Sequence, residues 1–202
     1  MAPDPLTSSY HFAHQYMYTP KYQYIYNQLL AESPEDAEFY GAMWGSLFHN
    51  YLADDGGLLF VSAQGRPYQE TKTRADLLIR GIRGCASEEH VILVEDKRVS
   101  MESQSDVWAV AVEQLARSMK TARAGDPSKD LSSNPHALYG IVTVGRYSRF
   151  YVLGPLALTP EEYPGTKLVE FKEDEMEIDR LLREIVGKCI QVASQLLSSK
   201  LE

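Results

Sequence analysis

Two short apolar runs separated by a polar segment constrain the fold of this chain more than any other feature. The first run spans residues 73–82 and the second spans residues 90–97, and both have the length and composition of β-strands. If residues 83–89 turn the chain back on itself, the two strands form an antiparallel hairpin centred near Ala86. The position of that centre predicts which residues of the two strands face one another.

Charged residues stand at the ends of these strands that lie away from the turn. The predicted register places Asp76 opposite Glu95, and Lys97, two positions further along, points to the same face as Glu95. Carboxylate oxygens can hold a divalent cation, and an ammonium beside them can contact the water or phosphate that the cation binds. The alternative is a solvated cluster of charges, since charged residues are common at strand ends.

Length and composition indicate one domain, residues 31–202, preceded by an N-terminal extension, residues 1–30. The chain has 202 residues, of which 44% are hydrophobic, enough for a buried core. No apolar run approaches the length of a membrane span, and the N-terminus lacks the features of a secretory signal. Cys85 and Cys189 form neither a zinc pattern nor a disulfide framework, so both are expected to be free thiols. We therefore expect an intracellular protein of the cytoplasm or nucleus, with no membrane partner.

The net charge of −8 argues against a protein that coats nucleic acid through bulk electrostatics. Much of the negative charge lies in residues 32–38 and 161–184. Basic residues flank the predicted hairpin and continue along the segment after it: Arg66, Lys72, Arg74, Arg80, Arg83, Lys97, Arg98, Arg117, Lys120 and Arg123. A solvated surface is sufficient to explain any single one of these residues.

The periodicity of apolar residues predicts an α/β domain with a mixed sheet, an antiparallel meander being followed by a crossover helix. In chain order the predicted elements are a helix over 33–52, strands over 58–62, 73–82 and 90–97, a helix over 104–122, strands over 137–144 and 149–153, a short extended run over 167–171 and a helix over 175–199.

The N-terminal extension is rich in tyrosine and is interrupted by Pro20, so we expect an irregular arm that leads into a short helix. Its tyrosines either pack onto the domain, mediate a homodimer contact or stack on nucleic-acid bases; the first two are favoured.

This order of elements, with Asp76 in the second strand and Glu95-Asp96-Lys97 at the end of the third, resembles the PD-(D/E)xK nuclease superfamily, which has a restriction-endonuclease-like α-β-β-β-α-β core. The resemblance covers roughly residues 35–153. It implies that Asp76 and Glu95 are metal ligands and that Lys97 positions or activates the attacking water. Asp96 takes the variable middle position, from which its carbonyl could complete the ligand set.

The chain departs from the superfamily pattern before the aspartate, where Arg74-Ala75 replaces the usual proline. The sequence is also similar in general character to fungal nuclease-like proteins.

Two further residues match parts of the family pattern. In several branches a glutamate of the first core helix reaches the metal, and Glu38 or Glu35 could do so here; a first-turn acid that complements the helix dipole explains either residue equally well. Branches resembling the RecB nucleases carry Gln-x-x-x-Tyr in the helix after the lysine. Gln114 stands in that helix with Ser118 in place of the tyrosine, so Gln114 either orients the substrate backbone or lies on the helix surface.

The resemblance implies a hydrolase that uses Mg²⁺ or Mn²⁺ to cleave the phosphodiester bonds of nucleic acid, DNA being expected rather than RNA. Such chemistry needs the phosphate charge neutralised and a water made nucleophilic, and a carboxylate-bound Mg²⁺ supplies both. The alternative is a nuclease-like domain that does not cleave and acts as a binding or regulatory module, which the acidic net charge favours.

Overall fold

The structure is a computed structural model that describes residues 20–31, 38–52, 59–63, 76–83, 87–124 and 136–198. Within these residues the chain forms one mixed sheet of seven strands and four α-helices. In chain order the elements are helix α1 (Pro20–Ala31), helix α2 (Glu38–Tyr51), strands β1 (Leu59–Ala63), β2 (Leu77–Arg83) and β3 (Ser87–Lys97), a 3₁₀ turn (Val99–Met101), helix α3 (Val107–Ala124), strands β4 (Leu138–Val144), β5 (Tyr147–Leu153), β6 (Glu161–Glu162) and β7 (Val169–Glu170), and helix α4 (Glu175–Ser198).

The strands lie in the order β1-β2-β3-β4-β5-β6, with β7 also paired to β5. All neighbours are antiparallel except β3 and β4, which run parallel. A parallel pair needs a long crossover connection, and the segment that contains α3 provides it. The predicted α/β class, the antiparallel meander and the crossover helix are therefore confirmed.

Successive side chains of a strand point to opposite faces of the sheet, so the core consists of one apolar cluster on each face. On β3, Ile92 and Val94 face the layer formed by α1, α2 and α4, whereas Leu93 faces α3. The buried stripe of α3 recurs every four residues, as expected for one face of a helix packed on a sheet; its members are Val107, Ala111, Leu115 and Met119. The sheet is therefore covered on both sides, and α3 lies on the face that carries Glu95.

Helix α1 packs the end of the Tyr-rich segment onto the domain. Tyr22, Ile25 and Tyr26 are buried, and the Tyr26 hydroxyl donates a hydrogen bond of 2.5 Å to Oε1 of Glu170. Pro20 is the first residue of the helix, where its missing N–H leaves no helical hydrogen bond unmade. The tyrosines before residue 20 lie outside the described residues, and the homodimer contact stays a prediction.

The two hairpin turns differ from those expected. Strand β2 continues to Arg83 and β3 begins at Ser87, so the predicted turn over 83–89 was too long. Strand β5 begins at Tyr147, which leaves Gly145 and Arg146 as the turn after β4, with Gly145 at a φ of 57° that favours glycine.

Cys189 is a buried free thiol, whereas Cys85 lies outside the described residues. None of the helices in the described part of the chain is long and apolar enough to cross a membrane.

Gly140 of β4 marks a close approach between the sheet and α3. A Cβ at this position would lie 2.6 Å from Cδ2 of Leu115. We therefore expect Gly140→Ala to lower the free energy of unfolding by about 1–3 kcal/mol, measured by urea denaturation. Gly187→Ala is the matched control, because its Cβ would meet no atom within 4 Å on the exposed side of α4, and it should stabilise the helix by about 0.5–1 kcal/mol. Equal effects of the two substitutions would contradict the tight packing of α3.

Candidate metal site at the ends of β2 and β3

A β-bulge in the β2–β3 hairpin sets the alignment of the candidate site. The register shifts by one residue in the middle of β2, where Val91 of β3 is the extra residue. Beyond the shift Leu77 pairs with Val94, and the same register places Asp76 opposite Glu95. The predicted facing of the two acids is confirmed.

Without the bulge, the same turn would align Asp76 with Val94. A slip of one residue moves a side chain to the other face of a sheet, so the two carboxylates would then lie on opposite faces. The extra residue in β3 therefore brings both carboxylates to the face that α3 covers.

Hydrogen bonds hold both carboxylates in place. The backbone N–H of Asp96 donates to Oδ2 of Asp76 over 2.7 Å. The hydroxyl of Ser118, on α3, donates to Oε1 of Glu95 over 2.9 Å. Glu95 is only 4% exposed and Ser118 is fully buried, so this contact fixes one oxygen of Glu95 inside the domain.

The surroundings of Glu95 raise its pKa to about 7. Burial is the largest cause, and the negative charge of Asp76 is the second; the hydrogen bond from Ser118 and the positive charges of Lys97 and Arg117 act in the opposite direction. At neutral pH the neighbouring positive charges therefore do not fully balance the negative charge of the two carboxylates. A cation bound between the carboxylates would do so.

Lys97 lies on the same face as Glu95, two positions further along β3, and is half-buried. Its carbonyl accepts a hydrogen bond of 2.9 Å from the N–H of Gly145, which ties the end of β3 to the turn after β4. A side-chain carboxylate of Glu102 binds the N–H of Arg146 over 2.7 Å and its guanidinium over 3.3 Å, which holds that turn in place. The backbone that carries Lys97 is thus fixed on both sides.

Asp96 directs its side chain to the opposite face of the sheet. It pairs with Thr143 of β4, whose hydroxyl accepts a hydrogen bond of 2.7 Å from Nε1 of Trp44 in the α2 layer. The carboxylate oxygens of Asp96 are inaccessible to solvent, and burial, followed by the charges of Asp76 and Glu95, raises its pKa well above the usual range. Any contribution of Asp96 to a metal site beside Glu95 would therefore come from its backbone carbonyl, as the sequence resemblance suggested.

Gln114 lies on α3 one turn before Ser118 and is half-buried. Its side-chain oxygen is inaccessible to solvent and accepts no hydrogen bond from the described residues. The family resemblance pointed to Gln114, and Ser118 entered only as the residue that replaces the tyrosine of the pattern. A small polar residue inside the apolar stripe of α3 was the signal for Ser118, because a buried hydroxyl normally has a hydrogen-bonding partner.

Glu38 is the first described residue of α2, but the structure does not describe its side chain, and Glu35 lies outside the described residues. Within the described ranges, no group of three or more His, Cys, Asp or Glu side chains is placed to hold a metal ion. Asp76 and Glu95 contribute two carboxylates on one face. That donor set fits Mg²⁺, which retains several waters and uses one or two protein carboxylates.

We expect Ser118→Ala to weaken Mn²⁺ binding at pH 7, with partial recovery at pH 8.5. Loss of the donated hydrogen bond removes one of the contacts that lower the pKa of Glu95, so that pKa rises further and less of the carboxylate is ionised at neutral pH. Isothermal titration calorimetry at the two pH values measures the effect. Ser148→Ala is the matched control, since Ser148 is an equally buried serine that contacts Thr143. The same loss in both variants would contradict a specific role for Ser118.

Comparison of this chain with protein-family models, curated proteins and solved structures finds no match.

Proposed function

We propose that this chain is a divalent-metal-dependent phosphodiesterase that cleaves nucleic acid, with DNA as the expected substrate, and that its domain is of the PD-(D/E)xK type. The single observation that carries the proposal is the arrangement of Asp76, Glu95 and Lys97 on one face of the sheet at the end of the β2–β3 hairpin. The element order α2-β1-β2-β3-α3-β4 supports it, because it matches the α-β-β-β-α-β core of that superfamily.

Asp76 and Glu95 would hold the metal through their carboxylates. A bound Mg²⁺ or Mn²⁺ would neutralise charge on the phosphate and lower the pKa of a coordinated water. Ser118 keeps Glu95 in one orientation, and the N–H of Asp96 does the same for Asp76. Both ligands are therefore pre-positioned before the metal arrives.

Lys97 would orient the attacking water or contact the scissile phosphate. Its ammonium lies near enough to Glu95 to lower the pKa of that carboxyl, so it belongs to the same electrostatic site. A half-buried lysine on a rigid strand can hold a water or phosphate oxygen in a fixed position, which is its main contribution to rate.

Cleavage of labelled DNA and RNA oligonucleotides tests the proposal. The wild-type protein is expected to cleave in Mg²⁺ or Mn²⁺ and to stop when the metal is chelated. Asp76→Asn should lower the rate by about a hundredfold or more, because it removes one of the two metal carboxylates. Asp106→Asn, an exposed acid just before α3, is the control and should cleave like the wild type. Equal rates for wild type and Asp76→Asn would refute the assignment, and metal binding without cleavage would favour a binding module.

A further inference from the structure

Three basic residues on α3, Arg117, Lys120 and Arg123, have different surroundings. The guanidinium of Arg123 donates hydrogen bonds of 2.8 Å to the carbonyls of Leu153 and Ala157, so it anchors the segment that follows β5. The side chain of Lys120 points to solvent. Arg117 is exposed and directly precedes Ser118, the residue of α3 that donates a hydrogen bond to Glu95.

Arg117 lies on the flank of α3 that borders the candidate site. It is adjacent to Ser118, which binds Glu95, and it follows Gln114 by three residues, so these side chains share one side of the helix. Residues on the other flank, such as Trp108, contact Arg149 of β5 instead. Arg117 therefore lies at the border between the solvent-exposed side of α3 and the side that carries Gln114 and Ser118.

The ion pair that Arg117 makes within the helix is weak. Its guanidinium is 3.9 Å from the carboxylate of Glu113, and the two side chains are 63% and 71% exposed. Exposed ion pairs of this kind contribute little to stability. An anion that binds the guanidinium more tightly can therefore displace Glu113 with little loss of free energy. A phosphate suits this role, because the planar guanidinium can donate two parallel hydrogen bonds to it.

We infer that Arg117 binds a substrate phosphate adjacent to the one that is cleaved, so that the site takes a polynucleotide strand rather than an isolated phosphodiester. The inference rests on the proposed function. Asp76, Glu95 and Lys97 lie at the ends of β2 and β3, whereas Arg117 lies on α3, the helix that covers this face of the sheet. A nucleic-acid strand carries a charge on every phosphate, so a strand whose scissile phosphate lies on the sheet would present a neighbouring phosphate to the helix.

Binding of a fluorescein-labelled single-stranded DNA oligonucleotide, followed by anisotropy at several salt concentrations with Ca²⁺ present, tests the inference. Arg117→Gln should weaken binding by about tenfold at low salt and reduce the slope of log K against log salt by about 0.7, the value for one phosphate contact on a single strand. Lys120→Gln is the matched control and should change the affinity by less than about twofold, because it removes the same charge from the solvent side of the helix.

Cleavage measurements separate this inference from the proposed function. The loss in kcat/KM caused by Arg117→Gln should be about tenfold larger for the oligonucleotide than for bis(p-nitrophenyl) phosphate, which has no neighbouring phosphate. Similar losses for both substrates, or equal effects of Arg117→Gln and Lys120→Gln on oligonucleotide binding, would overturn the inference while leaving the nuclease assignment intact. Binding that depends on Arg117 in a protein that cleaves neither substrate would uphold the phosphate contact and refute the nuclease. A wild type that neither binds nor cleaves would overturn both.

Discussion

Replacement of Lys97 by methionine is expected to lower metal-dependent cleavage by about a hundredfold or more, the size of loss that follows when a reacting water or phosphate is no longer held in position. Metal binding should persist, because Asp76 and Glu95 and their hydrogen bonds remain. Methionine keeps much of the volume of the lysine stem, so the half-buried position stays filled. Single-turnover cleavage and a calorimetric Mn²⁺ titration on the same sample give the two quantities.

Lys120→Met is the matched control for this experiment, because it removes an exposed lysine from α3. It should cleave at the wild-type rate. A Lys97→Met protein that binds Mn²⁺ and cleaves within about twofold of the wild type would remove Lys97 from the chemistry and leave only a metal site.

Glu95→Gln should stabilise the metal-free protein at pH 8 while abolishing its response to metal. Burial and the charge of Asp76 raise the pKa of Glu95 to about 7, above its ordinary value of 4.5. The folded protein therefore binds this proton more tightly than the unfolded chain. The resulting stability is fully present below pH 4.5 and is lost as the pH rises to about 7. At pH 8 the ionised, buried carboxylate costs on the order of 3 kcal/mol, which glutamine avoids while still accepting the hydrogen bond from Ser118.

Thermal and urea unfolding at pH 5 and pH 8 measure this effect. The stabilisation by Glu95→Gln should be larger at pH 8 than at pH 5, and millimolar Mg²⁺ should raise the Tm of the wild type but not that of the variant. Glu113→Gln, an exposed acid on α3, is the control and should change stability by less than about 0.5 kcal/mol. A variant that is less stable than the wild type at pH 8 would show that the charge of Glu95 is already compensated within the fold.

That Asp76 lies opposite Glu95 was predictable from the sequence, but the pairing of β2 with β3 that produces this alignment was not. Arg83 pairs with Ser87, a register that would align Asp76 with Val94 if it continued, and the extra residue Val91 shifts the pairing so that Asp76 lies opposite Glu95. Val91 has neither a glycine nor a proline beside it in β3, where His90 precedes it and Ile92 follows, so the sequence predicts an uninterrupted strand there. The apolar runs in the sequence thus identified the two strands. The position of the extra residue depends on how the strands pair, which the runs do not show.

Contacts made across the sheet account for most of what the sequence did not reveal. The bond from Ser118 to Glu95 joins residues 23 positions apart, and spacing along α3 alone does not specify it. The side of the sheet that Asp96 occupies could be predicted, because successive residues of a strand alternate between faces. Its burial beside Thr143 could not, since that depends on the parallel pairing of β3 with β4.

Calorimetric titration with Mn²⁺ shows whether Asp76 and Glu95 together form one divalent-metal site. The wild type is expected to bind one Mn²⁺ per chain in the range of about 0.01–1 mM at pH 7.5, with Asp76→Asn and Glu95→Gln each weakening binding by about tenfold or more. Asp106→Asn should bind like the wild type. Absence of binding at millimolar Mn²⁺, or an affinity unchanged by loss of either carboxylate, would contradict a metal site at Asp76 and Glu95.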